Sequence, residues 1–233
     1  MKNRNRHIFN RSIQFGISRK ALVAMAICAT FPVAAMAGPS VGLGYSDIGL
    51  TGHSGRPGVT VTAGNLYSNN VVANGSASFA RGYYAMNADL GKMIPTNGTV
   101  SFEPYVSLGF LNLNYNQQEV GYTTTTSSSY GYSFTQTTPY SYAQPASITD
   151  FYGLAGANMN VPLGQKVMLQ FGGGYGHTLM TYGRNGAGGS VYKGKAEAAF
   201  EITPHVAANI NVRYLHVPGA SLTTEGAGLA YQF

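Results

Sequence analysis

At 233 residues, of which 9% are charged and 31 are glycine, the chain suits one domain but carries far less charge than the roughly one quarter usual in soluble globular domains. The formal net charge of +6 is an end effect. Lys2, Arg4, Arg6, Arg11, Arg19 and Lys20 supply nearly half of the 14 basic residues, and the rest balance the 8 acids, all of which lie beyond Gly38. Nucleic-acid binding loses its support, and a lone cysteine, Cys28, excludes an internal disulfide.

The basic stretch is followed by an apolar run, Ala21 to Val33, and by Ala35-Met36-Ala37. A basic region, a short apolar region and a small-x-small site predict a secretory signal peptide over residues 1–37, exported through the Sec system and cleaved before Gly38. The run is too short to span a bilayer as a helix, which needs about 20 residues. Met25 and Ile27 stand where a lipidated Cys28 would require small neighbours.

Beyond residue 37 the dominant signal is a period of two, the mark of strands. Val41, Leu43 and Tyr45 alternate with Gly42, Gly44 and Ser46, and the phase is lost near Asp47. Val59, Val61 and Ala63 alternate with Thr60, Thr62 and Gly64. From Ala77, one strand carries Tyr84, Met86, Ala88 and Leu90 outward and Arg81, Tyr83, Ala85, Asn87 and Asp89 inward. After a turn at Pro95-Thr96-Asn97-Gly98, Phe102, Val106, Leu108 and Phe110 point out, against Glu103, Tyr105 and Ser107.

Residues 116–148 break the pattern and read as a long extracellular loop or protruding hairpin. This stretch is rich in Ser and Thr, with Tyr122, Tyr130, Tyr132, Phe134, Tyr140 and Tyr142 as binding candidates. Alternation resumes with Phe151, Ala155 and Ala157 against Asp150, Tyr152 and Asn158. It continues through Phe171 and Tyr175, through Tyr192 to Ile202 and through Val206 to Tyr214. On the inner face of these strands stand Lys193, Lys195, Glu197, Glu201 and Arg213. Gly183 to Gly189 lacks the strand-loop-helix setting and the Lys-Ser/Thr ending of a phosphate cradle, and Val217 to Thr223 reads as the final loop.

The closing stretch puts Ala227, Leu229, Tyr231 and Phe233 on one face and Gly226, Gly228, Ala230 and Gln232 on the other. With no long apolar helix, a membrane role requires a closed barrel, which satisfies its own backbone in lipid. Short Pro-containing turns alternate with longer loops. Counting back from Phe233 gives seven strands after residue 76 and two weaker segments, 41–50 and 59–67. Since bacterial barrels have even strand numbers, the expectation is an all-β, eight-stranded antiparallel transmembrane β-barrel over residues 38–233, with one of the two early segments as its first full strand.

The terminal Tyr231-Gln232-Phe233, the strand period and the turn asymmetry resemble small bacterial outer-membrane barrels of the OmpA-like, OmpX-like and opacity-type families. That resemblance implies outer-membrane lipid as surroundings. It also implies periplasmic chaperones and the barrel-assembly machinery as partners, with Leu229, Tyr231 and Phe233 as the assembly signal. Inward Arg81, Asp89, Glu103, Lys193, Lys195, Glu197, Glu201 and Arg213 include four charges of each sign and suggest a paired network plugging a monomeric barrel. The functional expectation is a structural or adhesin-like cell-surface role with an extracellular ligand, the alternative being a small-solute channel and, behind it, a lipid-modifying enzyme.

No cofactor or metal site is expected, because His53, His177, His205 and His216 are scattered. The stretch Arg213 to Ala220 is similar to the last hairpin of outer-membrane lipid A deacylases, whose motif is His-x-Ser-Asn. His216 matches, but Pro218 and Gly219 replace the serine and asparagine. Ser221 lies too far along the chain to substitute directly, and without a nucleophilic hydroxyl no acyl-enzyme forms.

Overall fold

Antiparallel strands run through nearly every stretch where polar and apolar residues alternate, and the sheet they form closes on itself. The computed structural model describes residues 38–51, 54–96, 100–129, 132–183 and 188–233; the expected signal peptide lies outside them. The strands are β1 (Pro39–Leu50), β2 (Arg56–Leu66), β3 (Val71–Ala80), β4 (Tyr83–Lys92), a two-residue β5 (Ile94–Pro95), β6 (Ser101–Ser129), β7 (Tyr132–Leu163), β8 (Val167–Tyr182), β9 (Ser190–Thr203), β10 (Val206–Val217) and β11 (Ala220–Gln232). Each long strand pairs with its sequence neighbours, β4 skips β5 to pair with β6, and β1 closes the ring against β11.

The barrel therefore has ten strands with β5 as a short addition, not the expected eight. Both early segments are full strands, so the choice between 41–50 and 59–67 does not arise. One of the two additional strands is thus the second early segment, and the other is β3, separated from β4 by the two-residue turn Arg81–Gly82, with Gly82 at φ +67°. A Cβ at Gly82 would lie 2.9 Å from the Asn114 carbonyl oxygen, so both the φ and the close approach call for glycine. Arg56 Nη1 ties this turn to β6 by donating to the carbonyls of Arg81 (3.1 Å), Gly82 (3.4 Å) and Asn114 (2.9 Å).

Val217 to Thr223 is not a loop either. Its ends belong to β10 and β11, joined at Pro218–Gly219 with Gly219 at φ +88°. Residues 116–129 and 132–148 are the upper parts of β6 and β7, whose ladder runs unbroken from Ser101–Asn160 to Ser129–Tyr132. Above Leu113 and Thr149 neither strand has another partner. The pair projects as a two-stranded ribbon about 50 Å long at roughly 3.3 Å per residue.

The outer wall is apolar. Val41, Leu43, Val61, Leu90, Val106, Leu108 and Leu229 are all exposed, a belt that in water would be an aggregation surface and in a bilayer meets acyl chains. Tyr175, Tyr192 and Tyr214 ring one end and Phe102, Tyr231 and Phe233 the other, as aromatic girdles do. The end that holds Pro39 and Phe233 is named periplasmic, and the ribbon end extracellular. No described helix is long and apolar enough to cross a membrane.

Candidate functional site in the barrel lumen

The inward face changes character at mid-height. On β7 the periplasmic half offers Asn160 and Asn158, and the extracellular half Leu154, Tyr152, Asp150, Ile148 and Ala146, all buried. On β1, Gly42, Gly44 and Ser46 give way to Ile48 and Leu50 without loss of phase, because Ser46, Ile48 and Leu50 are all buried. The apparent break at Asp47 is apolarity moving from the lipid face to the lumen face. Ile48, Leu50, Tyr83, Leu111, Leu113, Ile148, Tyr152, Leu154, Val191, Val217 and Leu222 pack as one cluster, a dry plug in the extracellular half.

Two tyrosines form the floor of the plug, and facing glycines make room for them. Gly109 is opposite Tyr152 and Gly156 opposite Tyr105 on the β6–β7 ladder. A Cβ at Gly109 would lie 2.1 Å from the Tyr152 ring, and one at Gly156 2.7 Å from the Tyr105 ring. The rings occupy the volume that the missing side chains leave.

Beneath them sits the charged layer. Lys193 Nζ donates to both Asp89 carboxylate oxygens at 3.1 Å and lies 5.5 Å from the centroid of Tyr105, so it joins the two halves. Glu103, 2% exposed, accepts from Gln170 Nε2 at 3.4 Å, and Gln170 also donates to Asn160 Oδ1 at 2.7 Å. Glu197 accepts from Asn209 Nδ2 at 3.1 Å. Asn87 Nδ2 donates to Asp89 Oδ2 at 3.3 Å while Asn87 Oδ1 accepts from Ser76 Oγ at 2.7 Å, and a hydroxyl chain links Ser46, Thr60 and Ser78. Beside Arg213, between β1, β2, β10 and β11, the free space is about 20 Å³, room for about one water.

Of the eight charges expected to pair, Asp89 and Lys193 form the ion pair. Glu103 and Glu197 are met by amides, and Glu201 is half-buried towards the periplasmic end. Lys195 and Arg213 share the lumen wall in register, and Arg213 Nε is buried without a hydrogen-bond partner. Arg81 corrects the expectation: it is exposed in the β3–β4 turn and faces no lumen partner, because that turn interrupts the strand on which it was placed. The residue overlooked was Arg56; its position just after a Gly-rich turn and before Pro57 was the available signal.

Asp150 is the most unusual group. It is 0% exposed within the apolar plug, and the polar group that meets its carboxylate is the Thr181 hydroxyl, too loosely placed for a well-formed hydrogen bond to either oxygen. Thr181 stands opposite it on β8, beyond a register shift at Phe151/Tyr152 that leaves Leu179 unpaired.

On the ribbon, Tyr140 and Tyr142 are exposed with ring centroids 5.7 Å apart, and Tyr142 Oη donates to Glu119 at 3.0 Å. Phe134 shares their face, whereas Tyr122 points the other way, opposite Pro139. Tyr130 and the side chain of Tyr132 lie outside the described residues. Leu229, Tyr231 and Phe233, which the resemblance would make the assembly signal, face outward, with Tyr231 and Phe233 edge to face at 5.2 Å. No group of histidine, cysteine and carboxylates poised for a metal occurs among the described residues.

No family model matches the chain, and no curated protein matches its sequence. Solved structures resemble it at the level of architecture. The outer membrane protease OmpT from Escherichia coli is similar with a TM-score of 0.46 and 10% identity, covering 84% of this chain and 94% of that one. The KdgM porin gives 0.38 and 9%, covering 82% and 99%. The translocator domain of the autotransporter NalP from Neisseria meningitidis gives 0.41 and 14%, covering 91% and 92%. The closed antiparallel ring of this chain stands on its own strand pairings, from β1–β11 round to β4–β6.

Proposed function

We propose that the chain is a small-solute channel of the outer membrane, held closed at rest by the apolar half of its lumen. The observation that supports this reading is Asp150. A plug that served only to seal would gain from an apolar side chain there, since a buried carboxylate met by a single, loosely placed hydroxyl costs several kcal/mol. A carboxylate buried in the apolar level of the lumen is useful where water and cations enter once the plug loosens, as charged rings and dewetting constrictions do in channels. Below it, Tyr105, Asp89 and the asparagines continue a polar path to the periplasmic mouth.

Planar-bilayer recording tests this reading. Folded wild-type protein should give rare, brief, cation-selective openings, and Leu111→Ser with Leu113→Ser should make them frequent. Asp150→Leu should silence them. Electrically silent membranes with both the wild type and the serine variant, under applied voltages of either sign, would overturn it.

A second reading rests on the exposed Tyr140–Tyr142 pair of the ribbon. Flat amphipathic rings among Ser and Thr suit recognition of an extracellular ligand on a host, phage or neighbouring cell.

A further inference from the structure

The outer wall carries a pair of groups that the lumen does not use. His216 on β10 and Ser221 on β11 occupy opposite positions of the terminal hairpin. Both point away from the lumen, because their neighbours Val217 and Leu222 are buried inside it. Five residues of chain separate them, yet the turn at Pro218–Gly219 brings His216 Nδ1 to 2.8 Å from Ser221 Oγ. Tyr214 Oη donates to the same Oγ at 3.3 Å. The serine proton is thus free to point at the imidazole nitrogen, the geometry that makes a weak hydroxyl a nucleophile.

Three further features surround the pair. Tyr192 packs on the His216 ring at 5.5 Å, and Tyr175 on Tyr192 at 5.4 Å, fixing the imidazole within the extracellular aromatic girdle. A groove of about 300 Å³ lies at the extracellular rim, where the outward His216 and Ser221 meet the inward Leu50 and Ala220 beside Thr51 and Tyr115, at the small end of ligand sites. The Tyr214 hydroxyl braces the same Oγ from the next outward position of β10.

We propose that Ser221 and His216 form a nucleophilic dyad that hydrolyses acyl esters, and that its substrate is an acyl lipid of the outer leaflet. The pair faces lipid at the height of the aromatic girdle, where headgroups meet acyl chains and lipid ester bonds lie. In the first step Ser221 Oγ attacks the ester carbonyl carbon while His216 Nδ1 takes the hydroxyl proton. The bond from that carbon to the alcohol oxygen breaks, and the alcohol leaves with the proton from His216. A water, deprotonated by the same nitrogen, then attacks the acyl carbon. The bond to Oγ breaks, a carboxylic acid is released and the serine recovers its proton. This activity stands apart from the lumen and does not depend on conduction.

The test uses folded protein in detergent micelles and in phospholipid vesicles, with the mobility difference between boiled and unboiled samples as the control for folding. A fluorophosphonate probe should label Ser221, identified by peptide mass. Labelling should vanish in Ser221→Ala and slow at least tenfold in His216→Gln, with Tyr214→Phe still labelled. Fatty acid should be released from diacyl phospholipid vesicles by the wild type and by neither of the first two variants. An unlabelled Ser221 in folded wild type would overturn the dyad, since a cross-strand bond that merely braces the hairpin leaves the hydroxyl inert. Hydrolysis of a soluble short-chain ester with no fatty acid from vesicles would overturn the lipid assignment.

Discussion

Lys195 and Arg213 stand directly opposite each other on the β9–β10 ladder, two cations on one rung of the lumen wall, while the ammonium of Lys193, one position above on the same face, is held by Asp89 at 3.1 Å. Opposed like charges are destabilising by a few tenths to about 1 kcal/mol, and Arg213 Nε lacks a partner. Arg213→Met, which keeps the stem and removes the charge, should therefore stabilise the barrel by about 0.5 kcal/mol. Asp89→Asn should do the reverse, at a cost of about 3 kcal/mol, because it strands the Lys193 ammonium in a buried setting. The protein has no tryptophan, so urea unfolding is best followed by gel mobility or circular dichroism.

Gly109→Ala should destabilise by about 1–3 kcal/mol, the usual range for overpacking, because the new methyl occupies the place of the Tyr152 ring. Combining it with Tyr152→Ala should remove most of that penalty. A double-mutant cycle on unfolding free energy measures the coupling, and additive effects would show that the ring does not rest on the glycine.

Much of the barrel is legible in the residue pattern, because the lipid face alternates with the lumen face and charges such as Asp89, Lys193 and Glu197 fall in phase with it. What escapes is instructive. Arg81–Gly82 is so short a turn that the alternation passes through it almost unbroken, with only a switch of inward positions from Ser76, Ser78 and Ala80 to Tyr83, Ala85 and Asn87. At Ile48 and Leu50 the apolar residues move inside, which a rule equating apolar with outside reads as lost phase. The ribbon is polar on both faces, so period two leaves no trace there. The Ser221–His216 contact is invisible to linear spacing, since it depends on the hairpin register.

Deleting Tyr122 to Tyr142 should leave the barrel intact, because above Leu113 and Thr149 the ribbon pairs only with itself. Heat-modifiable mobility should be unchanged, and binding to host cells or phage should fall. Equal binding by both forms across such assays would remove the recognition reading.

Removal of Phe233 should impair assembly into the outer membrane while leaving export complete. Its amide donates to the Pro39 carbonyl at 3.1 Å and its ring packs on Tyr231, so the deletion loosens the seam where the two ends of the sheet meet. Accumulation of protease-sensitive protein in the periplasm is the expected readout, and wild-type amounts of folded barrel would count against it.

The projecting ribbon and the plug belong to the same two strands. A load applied at the tip travels down the β6–β7 hydrogen bonds and reaches Leu113 and Ile148 just where neighbouring strands first share it, with Leu111 and Asp150 one inward position further on. Mechanically the ribbon is a lever arm about as long as the ladder that carries it, anchored in the apolar cluster of the lumen. Tension or torque on it is therefore delivered to that cluster before it can spread through the rest of the wall.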